Sequence, residues 1–360
     1  MMKLHNVINI VADVSPVNFG VWKAATVGAA FLRSHGVESS LWVTSGDVKN
    51  ANSSLETISI DNFSVDQLAG LVKSKQLSPN ETIIVTHGSW LKPTRFGYEL
   101  AKVGFRWVYV PQGMLEPWSF NQKKLKKKIY YTLFENKFIQ RATAVRAVSA
   151  IEQKNLNGLL NRSIQLIPNG VPVHGYSAKP HGTAQFLYMA RLHYKKGIFP
   201  LVKAWDKSMR DADAKLVICG YDEGELEKIR PFINGNIEYL DFVSGDDKIK
   251  LLKGSHYIVL PTSSEGLPSG VLEGMSFGLI PVISDGCNLP EVFKEHLGVR
   301  VEQDENNIAE QLTILRNKPF DQILSKRNHD YIGEHFSEDR TGEKLLELYR
   351  HLTDGSILHQ

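Results

Sequence analysis

One repeated pattern constrains this 360-residue chain more than any other feature of its sequence. Near-continuous apolar runs alternate with segments of helical period, and the whole pattern occurs twice in series. In the first half the runs fall at 6–13 (NVINIVAD), 39–44, 82–88, 105–113, 143–149 and 165–171; in the second, at 184–192, 214–220, 237–243, 256–261 and 279–284. A strand that is apolar along its length needs cover on both faces. Such runs separated by helices therefore predict α/β units with parallel sheets sandwiched between helices. Segment 21–36 predicts one helix stopped at Gly36, and Ser149 with Glu152 matches a capping box opening another. Two series of runs predict two Rossmann-like units, as the length also suggests. Pro172, Gly175, Pro180 and Gly182 cluster where the first series ends. The expected division is 1–173 and 174–337, followed by an amphipathic helix within about 338–360.

Composition narrows the setting. Two cysteines, Cys219 and Cys287, lie in apolar contexts, which argues against a disulfide framework and for a reducing compartment. The N-terminal apolar run is short and broken by Asp13, unlike a signal peptide, and no window reaches transmembrane length. The expectation is a soluble or peripheral protein of the cytoplasm. Net charge is +3, yet residues 91–150 alone carry twelve Lys+Arg against three Glu. Five of those cations fall in Lys123–Lys128, ahead of Ile129, Tyr130, Tyr131, Leu133, Phe134 and Phe138. Such a segment suits docking on an anionic membrane; nucleic acid is the rival polyanion, and a solvated helix face is the plain alternative.

Ligands of open parallel sheets bind at the carboxyl ends of the strands. The stretch SSEGLPSGVLEGM follows such an end. It sets Glu265 and Glu273 around a loop containing Gly266, Pro268, Ser269 and Gly270. A helix opening there would favour an anion, and carboxylates beside it can accept bonds from hydroxyls. Singly, Glu265 reads as a solvated loop charge and Glu273 as a cap paired with Gly270; together with the glycines they read as a sugar and ribose site. In ARLHYKKG, Arg191 and Lys196 flank a turn ending in Gly197, a pattern that matches a diphosphate. Gly20, in a first strand-to-helix turn, either admits a ligand or simply turns the chain. His87 and Gln112 lie at two further strand ends, where an acceptor hydroxyl could be oriented; a lone His is more often structural. Asp211-Ala-Asp213 precedes its strand and so reads as a polar turn. No His/Cys cluster suggests zinc.

RLHYKKG, IPNGV and the Glu-x7-Glu of EGLPSGVLE together resemble the retaining glycosyltransferases of family 4, of GT-B fold. The similarity runs over nearly the whole chain and is densest in 165–291. PQGMLEPW followed by the lysine run is similar to bacterial surface-polysaccharide enzymes. The resemblance implies two doubly wound domains facing a cleft: an acceptor domain, 1–173, with the last helix crossing back to it, and a nucleotide-sugar domain, 174–337. It implies that Arg191 and Lys196 bind and stabilise the leaving diphosphate and that Glu273 holds the ribose. Glu265 with the backbone of Gly266, Leu267, Pro268 and Ser269 would hold the donor sugar and α-phosphate side, and the Gly20 turn would close over the phosphates. It further implies a UDP- or GDP-sugar donor, a glycan or lipid-linked acceptor, retention of anomeric configuration, and neither metal nor cofactor. Gln112 stands where relatives often have His and cannot act as a base. Phe19-Gly20 replaces a Gly-Gly pair, and Pro172 stands where an Asp is common. The rival readings are an epimerase or phosphorylase of the same architecture, or a non-catalytic polyanion-binding protein.

Overall fold

Every strand pairing among the described residues is parallel. The computed structural model describes residues 4–48, 54–121 and 124–354. The first sheet is built from β1 (Asn6–Val11), β2 (Glu38–Val43), β3 (Glu56–Ser59), β4 (Thr82–His87), β5 (Arg106–Val110), β6 (Ala144–Ala147) and β7 (Gln165–Leu166). Its order is β3-β2-β1-β4-β5-β6-β7, so the winding reverses between β1 and β4. The second sheet is built from β8 (Ala184–Met189), β9 (Ala214–Cys219), β10 (Ile237–Leu240), β11 (Tyr257–Leu260), β12 (Ile280–Ile283) and β13 (Val299–Arg300). Its order is β10-β9-β8-β11-β12-β13, with the reversal between β8 and β11. Both are doubly wound, and in each the reversal opens a crevice at the carboxyl edge. The central strands are buried on both faces, as their unbroken apolar runs require.

The sequence pattern passes over β3 and β13, which are both edge strands. β3 is exposed at both ends and only half-buried between them, and β13 has only two residues, so neither shows a continuous apolar run.

Contacts group the residues up to Gly170 with those from Glu338 onward, and Val171–Ser337 by themselves. The change of unit falls three residues before the expected position. Val171 donates to the Phe336 carbonyl (2.8 Å) and forms a parallel bridge with Ser337, which ties it to the second unit.

The single helix expected over 21–36 is two, Phe19–Ala24 and Ala29–Ser34. The break is at Gly28, whose φ of +78° lies in the left-handed region. A Cβ at Gly28 would sit 2.9 Å from the Gly342 Cα. The chain is therefore bent where the Glu338–Asp354 helix packs closely against it, burying Leu345, Leu346, Leu348 and Tyr349. The capping box at Ser149 is only half formed. Ser149 Oγ accepts from the Glu152 amide (3.2 Å), but the Glu152 carboxylate accepts from the amides of Val148 (2.7 Å) and Gly113 (2.6 Å). Gly28→Ala should destabilise the protein by about 1–3 kcal/mol, from a left-handed alanine and a blocked helix contact. Urea denaturation followed by circular dichroism measures this.

Candidate active site

The reversal between β8 and β11 gathers most of the expected residues. The turn Tyr194–Lys196 follows β8, and the loop carrying Glu265 follows β11. Gly197, at φ +71°, lets the turn press against the end of β11: a Cβ there would lie 2.1 Å from the Pro261 carbonyl oxygen. The Lys195 carbonyl accepts from the Ser263 amide (2.9 Å) and from Thr262 Oγ1 (3.1 Å), which fastens turn to loop.

At this junction Lys196 Nζ meets Glu265 Oε1 at 2.5 Å, both side chains about nine-tenths buried. Thr262 Oγ1 also donates to Oε1 (3.0 Å), and Asn288, itself left-handed at φ +56°, donates to the Glu265 carbonyl (2.5 Å). Among the described residues, no donor reaches Oε2. Burial pushes the Glu265 carboxyl up. The charges of Lys196 and Lys195, with the hydrogen bonds from Lys196 and Thr262, outweigh it and leave the carboxyl below its ordinary range. Burial pushes the Lys195 ammonium down to about 8; Glu265 raises it, and Lys196 and Arg191 lower it further. Arg191 does not touch Lys196. It pairs with Glu223 Oε1 (2.5 Å), a residue the sequence reading did not single out. Three cations thus share the junction with two carboxylates, leaving an excess of positive charge.

The helix Ser269–Ser276 begins directly after the Glu265 loop, with Pro268 as N-cap and Leu267 packed on the core. Among the described residues, the Gly270 amide has no acceptor, so the first turn presents a free donor beside the cations. Glu273 is the fifth residue of this helix, not the third, and does not cap it. Its Oε1 meets Lys248 Nζ of the Gly245–Gly254 helix at 2.6 Å. Lys248 and Asn288 both escaped the sequence reading. Lys248 lies in a helical pattern that looks solvated, and Asn288 acts through a side-chain bond to a loop carbonyl that is distant in sequence.

The first-unit expectations fare differently. Gly20 lies inside the Phe19–Ala24 helix rather than in the turn before it, and the space beside its Cα is open. His87 is buried, and both its nitrogens are engaged: Nε2 with Asn9 Oδ1 and Nδ1 with Gln112 Nε2, each at 3.1 Å. Because the Gln112 amide donates to Nδ1, the proton is on Nε2. Burial, aided by Arg146, lowers the His87 pKa to about 3, so the ring is neutral. The chain continues through Asn169 to Gln112 Oε1 (2.8 Å) and Arg146 to Asn169 Oδ1 (2.8 Å). His87 therefore offers no ring nitrogen to an acceptor, and Gln112 is held as part of the frame. Lys123 lies outside the described residues. Asp213 accepts from Thr183 (2.7 Å) at the amino edge of β9, as a polar turn should. Among the described residues, no group of three His, Cys, Asp or Glu could hold a metal ion.

Residues 174–331 match the family model described as Glycosyl transferases group 1. An uncharacterized glycosyltransferase of Methanocaldococcus jannaschii is 28% identical over 171 residues, covering 46% of this chain and 44% of that protein. The gpi3 subunit of phosphatidylinositol N-acetylglucosaminyltransferase from Schizosaccharomyces pombe is 22% identical over 209 residues, 55% of this chain and 46% of its own length. The chain thus spans less than half of each of these curated relatives. Anabaena HepE, solved in complex with UDP and glucose, superposes with a TM-score of 0.75 at 16% identity over 96% of this chain and 100% of that one. The chain has the GT-B fold, and the match to the group 1 glycosyltransferase model lies within its second unit.

A carboxyl held below its unfolded value stabilises the protein above about pH 4.5, and that stability is lost as pH falls through the folded value. Lys196→Met removes the contacting cation, so the buried Glu265 carboxyl rises. We expect a loss of about 3–5 kcal/mol near neutral pH, shrinking as the pH falls through the variant's raised value toward the wild type's lowered one and the carboxyl protonates. Urea titrations at neutral and acid pH measure both parts; an undiminished difference in acid would show that Glu265 is not the cause.

Proposed function

We propose that this chain is a retaining glycosyltransferase. It moves a sugar from a nucleotide-diphosphate donor to a hydroxyl of a glycan or lipid-linked acceptor in surface-polysaccharide synthesis. The observation that carries the reading is the cation-rich junction at the β8/β11 reversal, with the free Gly270 amide beside it. In the proposed reaction the bond between the sugar C1 and the diphosphate oxygen breaks, and the diphosphate leaves with the electron pair. Arg191 and Lys196 stabilise the departing charge, so the reading requires no metal ion. The acceptor oxygen bonds C1, and its proton passes to the leaving phosphate. Glu265, fixed through Oε1, presents Oε2 to the donor sugar, and Glu273 accepts from the ribose hydroxyls. The UDP in the HepE complex supports a UDP-sugar donor, with a GDP-sugar as the competitor.

Thermal unfolding against UDP, GDP, ADP and CMP tests the donor site first. A nucleotide at roughly 100 times its Kd should add about 2.7 kcal/mol of stability. Arg191→Ala and Lys196→Ala should each cut turnover by about 10²–10³-fold with the fold retained. Unchanged turnover in both would sink the assignment.

We further propose that the acceptor is met at the inner face of an anionic membrane. The segment of Lys124–Tyr130 and Tyr131–Glu135 leaves Leu125 72%, Ile129 52%, Leu133 59% and Phe134 48% exposed, alongside the exposed Lys126 and Lys128. Buried Glu135 anchors its far end, accepting from the Trp90 amide (3.0 Å) and Thr94 (3.2 Å). The apolar side chains would enter the headgroup boundary while the lysines pair with lipid phosphates. No helix among the described residues is long and apolar enough to cross a membrane. Cosedimentation should show binding to phosphatidylglycerol-containing vesicles that falls at least several-fold in Lys126→Glu/Lys128→Glu. Equal binding to neutral vesicles, or a preference for RNA at matched salt, would overturn it.

A further inference from the structure

The Lys248–Glu273 pair is not explained by anything above. Two half-buried side chains from different helices meet at 2.6 Å, although the Gly245–Gly254 helix has exposed positions where its lysine could have been solvated instead. The pair stands over the carboxyl end of β9. Burial lifts the Cys219 thiol there to about 12, and the charges of both Lys248 and Glu273 act on it. β9 adjoins β8, so the pair lies one strand from the junction that holds Lys196. Lys248 takes only Oε1 of Glu273. Among the described residues, no donor reaches Oε2, and the side chain keeps 18% of its exposure.

We infer that Lys248 is the positioning residue of the donor's ribose subsite. An unpaired glutamate on a helix samples several rotamers, and a hydroxyl pair binding it would bear the entropy of fixing them. With Oε1 pinned by Lys248, the carboxylate is set before the nucleotide arrives, with Oε2 ready to accept. The ammonium also keeps the carboxylate from turning toward the cations at the junction, where it would compete with the diphosphate. This inference rests on the proposed donor site, and it makes a demand that a diphosphate cradle alone does not. Lys248 must matter for ligands that carry ribose and not for ligands that lack it.

Calorimetric titration of the full chain with UDP, GDP and inorganic pyrophosphate tests this. Lys248→Met should weaken the nucleoside diphosphate that the wild type binds by about tenfold and leave pyrophosphate unchanged. Lys248→Arg, which can still reach the carboxylate, should restore most of the affinity. On a Glu273→Gln background, Lys248→Met should add no further loss, since the two act as one unit. Equal weakening of pyrophosphate would make Lys248 a direct phosphate ligand and overturn the inference, as would no weakening at all. Glu273→Gln without effect on nucleotide affinity would remove the ribose assignment while leaving the donor site standing. Binding of pyrophosphate but of no nucleoside diphosphate by the wild type would overturn both.

Discussion

The ion pair between Lys196 and Glu265 dictates much of the local architecture around it. Two charges brought almost wholly out of water are stable only when geometry and hydrogen bonding compensate. Here the compensation comes from several directions: Thr262 donates to the same oxygen, Lys195 adds its charge, and Asn288 fixes the loop carbonyl. The two lysines reach the carboxylate only because the turn after β8 lies almost against the end of β11, which only a glycine at 197 permits. The requirement for a paired, buried carboxylate thus explains a backbone conformation, a threonine, an asparagine and a glycine that would otherwise look unrelated.

The two carboxyl edges differ in how they handle charge. In the second unit, cations and carboxylates are concentrated and imperfectly balanced, so a polyanion would complete the site. In the first, the Arg146 guanidinium is spread along a relay of neutral amides and a neutral imidazole, ending at Asn9. That relay is internally satisfied. It stiffens the edge between β1, β4, β5 and β7 and carries no excess charge toward solvent.

Much of the architecture could be read from the amino acids because the central strands are buried on both faces. Apolar runs such as NVINIV and TIIVTH have few other uses, and Glu265, Lys196 and Arg191 stood beside glycines at strand ends, where ligands gather. What escaped was decided by tertiary approach. The kink at Gly28 exists because another helix arrives from 314 residues away, and nothing local announces it. Glu273 looked like a cap because its spacing from Gly270 allowed one; Lys248, on a separate helix, determines where its carboxylate goes. His87 stood at a promising strand end, but only the side chains around it reveal that both nitrogens are already engaged. Edge strands β3 and β13 lacked the burial that makes a strand visible in sequence.

The packing of Glu338–Asp354 on Ala29–Ser34 also sets an order of events during synthesis. The apolar face of the early helix is covered by a segment that leaves the ribosome only after all of Val171–Ser337. At about 5–20 residues per second, that delay amounts to roughly ten seconds or more. For that interval the sheet of the first unit exists beside an uncovered groove, while the second unit is free to close on its own. The nascent chain therefore matures from the middle of its sequence outward, and the half that begins first is the half that finishes last.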